Sequence, residues 1–130
     1  MEPPLTREEA RLLSPLQLAY VGDSVHALLA RTGLMEKNWK VRDMHRAANL
    51  AVSAVSQARE LQAILPLLTP EEGDIVRRGR NAHPHHAGPK SATAGEYAGA
   101  TGLEALLGYL YLTGQTDRLA ELSAYLQSEE

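Results

Sequence analysis

Helix-start signals recur along this chain, and they constrain its fold more than any other feature of the sequence. Ser14-Pro15 and Thr69-Pro70 each place a capping residue before a proline at the first helical position, and Glu72 completes a capping box. No segment alternates apolar and polar residues as a strand would. We therefore predict an all-α fold. The predicted helices cover about 15–32, 41–67 with an interruption near Val52-Ser53, 70–81, a short turn capped by Ser91, 98–113 and 116–127.

The composition fits one helical domain that spans residues 1–130. Hydrophobic residues make up 44% of the chain, which is enough for a core built mainly of Leu and Ala. The chain has no Cys, so it forms no disulfide and no thiolate metal site, and this suits a reducing cytoplasm. The N-terminal segment lacks the apolar stretch of a secretory signal, and the apolar runs are too short to span a membrane. We expect a cytoplasmic protein without membrane contact.

Two acids stand alone in apolar segments. Asp23 lies in LSPLQLAYVGDSVHALLA and Glu104 in AGATGLEALLGYLYLTG, and neither segment contains Lys or Arg. Both segments resemble core, where an unpaired carboxylate costs several kcal/mol. A hard cation shared by the two acids, most naturally Mg²⁺, would offset that cost. The alternative is that each acid faces solvent or pairs with a distant Arg.

A basic segment follows the predicted helix 70–81. Residues 31–90 hold ten Lys and Arg against six Asp and Glu, a net charge of +4, although the whole chain carries −3. The segment RRGRNAHPHHAGPK, residues 77–90, combines cations with a Pro- and Gly-containing loop that could contact RNA phosphates and sugar hydroxyls. A solvated helix end with cations near the C-terminal dipole explains the same pattern. The candidate RNA-binding residues are Arg77, Arg78, Arg80, Asn81 and Lys90.

Histidines give weaker signals. His83, His85 and His86 do not have the spacing of a standard zinc site, and no Cys supports one. Asp43 and His45 resemble a fragment of a metal phosphohydrolase motif, but further His ligands at suitable spacing are missing. We interpret Asp43 as an acid in the first turn of a helix and His45 as a surface or packing residue.

The two acidic segments also resemble motifs of a known family. LAYVGDSVHALLAR at 18–31 is similar to the signature helix of ribonuclease III domains, and GLEALLGYLYLTG at 102–114 is similar to their second acidic motif. The order of the motifs, their separation and the intervening RGRNA segment resemble the short, standalone subfamily called Mini-III ribonucleases. The resemblance covers about residues 13–126.

This resemblance implies a homodimer of all-α domains that hydrolyses double-stranded RNA with Mg²⁺, or Mn²⁺ as a substitute, and leaves 5′-phosphate and 3′-hydroxyl ends. It assigns catalytic and metal-binding roles to Asp23 and Glu104. Typical members have two further acids, at positions where this chain has Ala19 and Thr101. These departures fit the Mini-III pattern but put a full two-metal site in doubt.

The sequence therefore leads us to expect an endoribonuclease. The resemblance further implies that its substrate is the paired ends of a bacterial large-subunit ribosomal RNA precursor. Two alternatives remain open at this point. One is a non-catalytic module of the same fold that binds double-stranded RNA or the ribosome, and the other is a helical dimerisation scaffold that binds no RNA.

Overall fold

The computed structural model describes residues 2–35, 39–82 and 92–126. It is all-α, as predicted, and the described part contains no strand. The helices are α1 (Arg7–Leu12), α2 (Pro15–Leu34), α3 (Val41–Ala51), α4 (Ala54–Ile64), α5 (Pro70–Asn81), α6 (Ala94–Leu112) and α7 (Thr116–Leu126), with a 3₁₀ turn at Leu65–Leu67. No helix in these ranges is long and apolar enough to cross a membrane.

Most helix starts are encoded locally by capping boxes, in which a hydroxyl accepts from the third helical N–H and that residue's side chain accepts from the cap N–H. The boxes predicted at Ser14 and Thr69 are present. The interruption near Val52-Ser53 is confirmed, and the Ser53 hydroxyl caps α4. The prediction missed α1, although Thr6 and Glu9 form a capping box that the sequence displays.

The start of α6 was predicted wrongly. Instead of a short turn followed by a helix from about 98, one continuous helix begins at Ala94, because Thr93 and Glu96 form a capping box. Ser91, the predicted cap, lies outside the described residues. The helix ends close to the predicted position, before Gly114, which has a φ of +72°.

Helix α6 lies at the centre of the fold and packs against α2, α4 and α5, with smaller contacts to α1 and α7. Most of its side chains from Leu103 to Leu110 are buried, and Tyr109 is the largest of them. The Tyr109 hydroxyl keeps a polar partner by donating to Glu71 at 2.7 Å. Because burying a large apolar side chain contributes about 1.5–3 kcal/mol, this helix supplies much of the core.

Glycines allow α2 and α6 to touch through their backbones. A Cβ atom on Gly22 would overlap the carbonyl oxygen of Glu104, and a Cβ on Gly108 would overlap that of Leu18. The two helices therefore cross in direct backbone contact. This crossing lies beside both of the lone acids.

Arg118 of α7 connects three elements away from the α2–α6 crossing. Its guanidinium donates to both carboxylate oxygens of Glu72 at 2.8 Å and to the Leu67 carbonyl at 2.8 Å. Burial alone would raise the pKa of Glu72, but the Arg118 hydrogen bonds and the Thr69 N–H outweigh it and lower that pKa below its usual 4.5. These hydrogen bonds connect α7 to the start of α5 and to the 3₁₀ turn before it.

Candidate active site

The structure brings the two lone carboxyl groups together. Asp23 follows Gly22 on α2, and Gly22 packs directly on the backbone of Glu104 in α6. Asp23 is exposed and Glu104 is half-buried. The expectation that both acids lie in the core is therefore correct only in part, since the Asp23 side chain is open to solvent.

The environment of Glu104 disfavours its ionised form. Burial raises its pKa to about 7, and the charge of Asp23 and a hydrogen bond with Asp23 act in the same direction. A hydrogen bond from Gln57 and the charge of His26 oppose the shift without cancelling it. A carboxylate in this position gains from any cation that binds beside it.

Gln57 and a buried, hydrogen-bonded pair, His26 and Glu60, lie beside the two acids on the α4 side. The side-chain N–H₂ of Gln57 donates to a carboxylate oxygen of Glu104 at 3.2 Å. One turn further along each helix, His26 Nε2 of α2 lies 2.8 Å from Glu60 Oε1 of α4. Sequence reasoning missed these residues, because their only signal is a polar residue on an otherwise apolar helix face, which many packed helices share.

The residues at this crossing fit a hard divalent cation. The donors are carboxylate oxygens from two helices, they repel one another without a positive partner, and Asp23 leaves the site open to solvent. Among residues 2–35, 39–82 and 92–126, no group of three or more His, Cys, Asp or Glu side chains could hold a metal ion. Mg²⁺ matches such a set, because it binds through one or two carboxylates and keeps waters for the remaining positions.

Known proteins resemble this chain in sequence and in fold. The sequence pattern described as Ribonuclease III domain matches residues 16–115. A Mini-ribonuclease 3 from Symbiobacterium thermophilum is 51% identical over 111 residues, which cover 85% of each chain. The chain belongs to the ribonuclease III domain family. A Mini-ribonuclease 3 from a Thermoanaerobacter species is 45% identical over 119 residues, 91% of this chain and 83% of its own.

A solved structure agrees with this family assignment. The crystal structure of a Fusobacterium nucleatum protein superposes with a TM-score of 0.79 at 27% identity, covering 88% of this chain and 91% of that one. The resemblance inferred from the two acidic motifs is thereby confirmed. Both acids of this ribonuclease III domain lie inside the matched residues.

The predicted RNA-binding residues of this ribonuclease III domain have different surroundings. Arg77 is exposed and pairs with Asp74 at 2.5 Å. Arg78 is half-buried and donates to the carbonyl of Leu13 at 3.1 Å, which ties α5 to the start of α2. Arg80 and Asn81 are exposed at the end of α5. Lys90 lies outside the described residues, as do the three histidines considered for zinc.

Arg80 shares an open groove of about 380 Å³ with a cation that the sequence did not single out. The groove lies between α4 and the start of α6, and Arg59, Thr93 and Glu96 also line it. Nothing in the local sequence distinguishes Arg59 from an ordinary surface residue.

The remaining candidates take the positions interpreted from the sequence. Asp43 lies in the first turn of α3. His45 is exposed and lines a shallow groove of about 160 Å³ with Arg31 and Met44. Neither residue adds a ligand to the carboxylate pair.

Proposed function

We propose that this single ribonuclease III domain is a Mg²⁺-dependent endoribonuclease that hydrolyses double-stranded RNA. The observation that carries the proposal is the pairing of Asp23 with Glu104, which makes a half-buried carboxylate in need of a cation. Membership of the ribonuclease III domain family supports the substrate class.

In the proposed mechanism, Asp23 and Glu104 hold the cation, with Mn²⁺ as a substitute for Mg²⁺. When bound, the ion supplies an acidified water and stabilises negative charge on the phosphate. Water attacks the phosphorus and loses a proton, the bond to the 3′ oxygen breaks, and that oxygen takes up a proton from solvent, so the products carry 5′-phosphate and 3′-hydroxyl ends. Exposure of Asp23 leaves room for the RNA backbone, while the contact of Gly22 with the Glu104 backbone holds the two helices that carry the acids together.

Duplex binding is assigned to cations near the end of α5. Arg80 and Asn81 are exposed there, and Arg80 shares its groove with Arg59. Such contacts read the shape and backbone of an A-form duplex, so cleavage should depend on double-stranded structure more than on base sequence. Lys90 and Arg77 remain predicted contributors.

An Asp23→Asn variant tests the catalytic assignment. We expect metal-dependent cleavage of a long RNA duplex to fall at least about 100-fold, since even residues behind metal ligands contribute about 10–100-fold. Circular dichroism and thermal unfolding should stay close to wild type. Asp117→Asn, at an exposed acid in the first turn of α7, is the matched control. Undiminished cleavage by Asp23→Asn would refute the assignment, and RNA binding by the wild type without cutting would favour a non-catalytic binding module.

We also propose that the domain acts as a homodimer, so that two sites cut the two strands of one duplex. Helix α2 exposes two large apolar side chains, Tyr20 at 83% and Leu28 at 64% of their full accessibility. A groove of about 520 Å³ runs beside it, lined by Leu5, Leu13 and Leu16 among others. Tyr20 also lines that groove, and exposed apolar surface larger than a single side chain marks association sites.

Light scattering tests the dimer. Tyr20→Asp should give a monomer with little duplex cleavage, because a charge would be placed inside the proposed interface. Tyr125→Asp alters another exposed tyrosine and should leave the mass unchanged. A dimeric Tyr20→Asp protein would place the interface elsewhere.

The natural substrate we propose is a bacterial large-subunit ribosomal RNA precursor, trimmed at its paired ends in the cytoplasm. The likeness to bacterial proteins named Mini-ribonuclease 3 supports it. Sequencing the 5′ ends of ribosomal RNA from cells that lack the protein tests it. Fully mature ends in those cells would contradict it.

A further inference from the structure

Gln57 is a buried polar residue next to the carboxylate pair. Its side chain is 2% exposed, and it belongs to α4 rather than to either helix that carries an acid. The side-chain nitrogen makes two hydrogen bonds, to Glu104 Oε2 at 3.2 Å and to the Val52 carbonyl at 2.9 Å. Two acceptors fix which end of the amide is nitrogen, so the orientation of the group is determined.

The bond to the Val52 carbonyl is possible because one helix ends and the next begins between Ala51 and Ala54. Val52 ends α3 and Ser53 caps α4, so the Val52 carbonyl is a helix-end acceptor. Gln57 satisfies it from within the next helix. The amide is thereby anchored at one side and presented to Glu104 at the other.

A buried pair holds α4 in place at the same level. His26, one turn beyond Asp23, lies 2.8 Å from Glu60, one turn beyond Gln57, and both side chains are almost fully buried. The helix that carries Asp23 and the helix that carries Gln57 are therefore held together beside the acids.

A purely structural role does not account for Gln57. Its Oε1 atom is buried and has no donor among the described residues, which makes the amide a costly way to fill the core. The bond to the Val52 carbonyl offsets part of that cost, and the bond to Glu104 is the contact that packing does not require. The hydrogen bond that the amide donates to the Glu104 carboxylate is a better explanation for a polar side chain at this position.

We propose that Gln57 is a positioning residue that holds the Glu104 carboxylate in the orientation that binds the divalent cation. Its N–H donates to one carboxylate oxygen, so the other oxygen would be available to the cation. The inference rests on the proposed function, since it assigns Gln57 a role at that same site. Residues behind metal ligands typically change metal affinity by about 10–100-fold.

Mn²⁺ binding, followed by electron paramagnetic resonance without RNA, tests the inference. Gln57→Met and Gln57→Leu remove the donor but keep the bulk, and we expect the Kd for Mn²⁺ to rise about 10-fold or more. Their cleavage rates should recover largely at saturating Mn²⁺, whereas those of Asp23→Asn should not. Gln62→Met, at an exposed glutamine of the same helix, should keep the wild-type Kd.

A second measurement needs no variant. In the wild type, the side-chain ¹⁵N–¹H signals of Gln57 should shift on addition of Mg²⁺, and they should not shift in Asp23→Asn. If neither Gln57 variant folds, this measurement decides alone.

The outcomes separate the two proposals. The role of Gln57 would be overturned by a folded Gln57 variant whose Kd for Mn²⁺ is within twofold of wild type. It would also be overturned if the Gln57 side-chain ¹⁵N–¹H signals of the wild type did not shift on addition of Mg²⁺. A wild type that never cuts RNA, but whose affinity for Mn²⁺ falls when Asp23 or Gln57 is replaced, would overturn the nuclease while leaving Gln57 as a positioning residue.

Discussion

Replacing Gly22 with alanine tests whether the carboxylate pair depends on direct contact between two backbones. The new Cβ would lie 2.5 Å from the carbonyl carbon and 2.9 Å from the Cα of Glu104, where ordinary contact needs at least 3.4 Å. The Cβ would also overlap the Glu104 carbonyl oxygen, so the crossing must open by more than about 1 Å, and a gap of even that size forfeits about a quarter to a half of the dispersion energy across it.

The expected cost follows from two opposing effects. Overpacking costs about 1–3 kcal/mol, and the upper end applies because backbone atoms cannot turn aside. Alanine returns about 1 kcal/mol through its helix propensity. A net loss of about 2 kcal/mol should lower Tm by about 6–10 °C in a domain of this size. Cleavage should fall as well, because the shift moves Asp23 relative to Glu104.

Gly73→Ala is the matched control. Gly73 lies inside α5, and a Cβ there would meet nothing within 4 Å. This variant should gain about 0.5–1 kcal/mol and raise Tm by a few degrees. Chemical and thermal unfolding of both proteins measure the difference. If Gly22→Ala were as stable as Gly73→Ala, the close approach of α2 and α6 would be wrong.

Two further predictions concern charged side chains. Glu72 has a lowered pKa in the folded protein, so its pairing with Arg118 stabilises the fold above the unfolded pKa of about 4.5, and the stabilisation is lost as pH falls through the folded pKa. In urea unfolding at pH 7, Arg118→Met should therefore have a lower free energy of unfolding than wild type, and this difference should shrink towards pH 3. A difference that does not change with pH would contradict the pairing. Arg80→Ala should weaken duplex binding and reduce the salt dependence by about one phosphate contact without lowering Tm. Arg78→Ala should mainly lower Tm by removing the bond to Leu13, and equal effects of the two variants on both readouts would refute the distinction.

The sequence predicts features that depend on neighbouring residues. A capping box is complete within four residues, so the starts of α2 and α5 could be located without knowing the fold. The start of α6 was misplaced because two hydroxyl residues, Ser91 and Thr93, compete there, and only Thr93 has a glutamate three residues later. The helix α1 could have been found by the same criterion.

Features that depend on distant residues were beyond reach. The sequence predicts that Asp23 and Glu104 are unusual, but not which backbone packs against Gly22. From the sequence, Arg78 is interpreted as a surface cation. The structure shows that it donates to the carbonyl of Leu13, which is 65 positions away. Gln57 and Glu104 are 47 positions apart, and no local pattern indicates that one orients the other.

The interruption at Val52-Ser53 also bears on protein engineering. Replacing Ser53 with a strong helix former would be a routine choice for raising thermal stability. If α3 and α4 then fused into one rod, the Val52 carbonyl would bond to the N–H of Ser56, as in any continuous helix, and Gln57 would lose its anchor. Under the proposed role of Gln57, a variant stabilised in this way would bind the cation less tightly, so stabilised variants should be screened for cation affinity as well as for melting temperature.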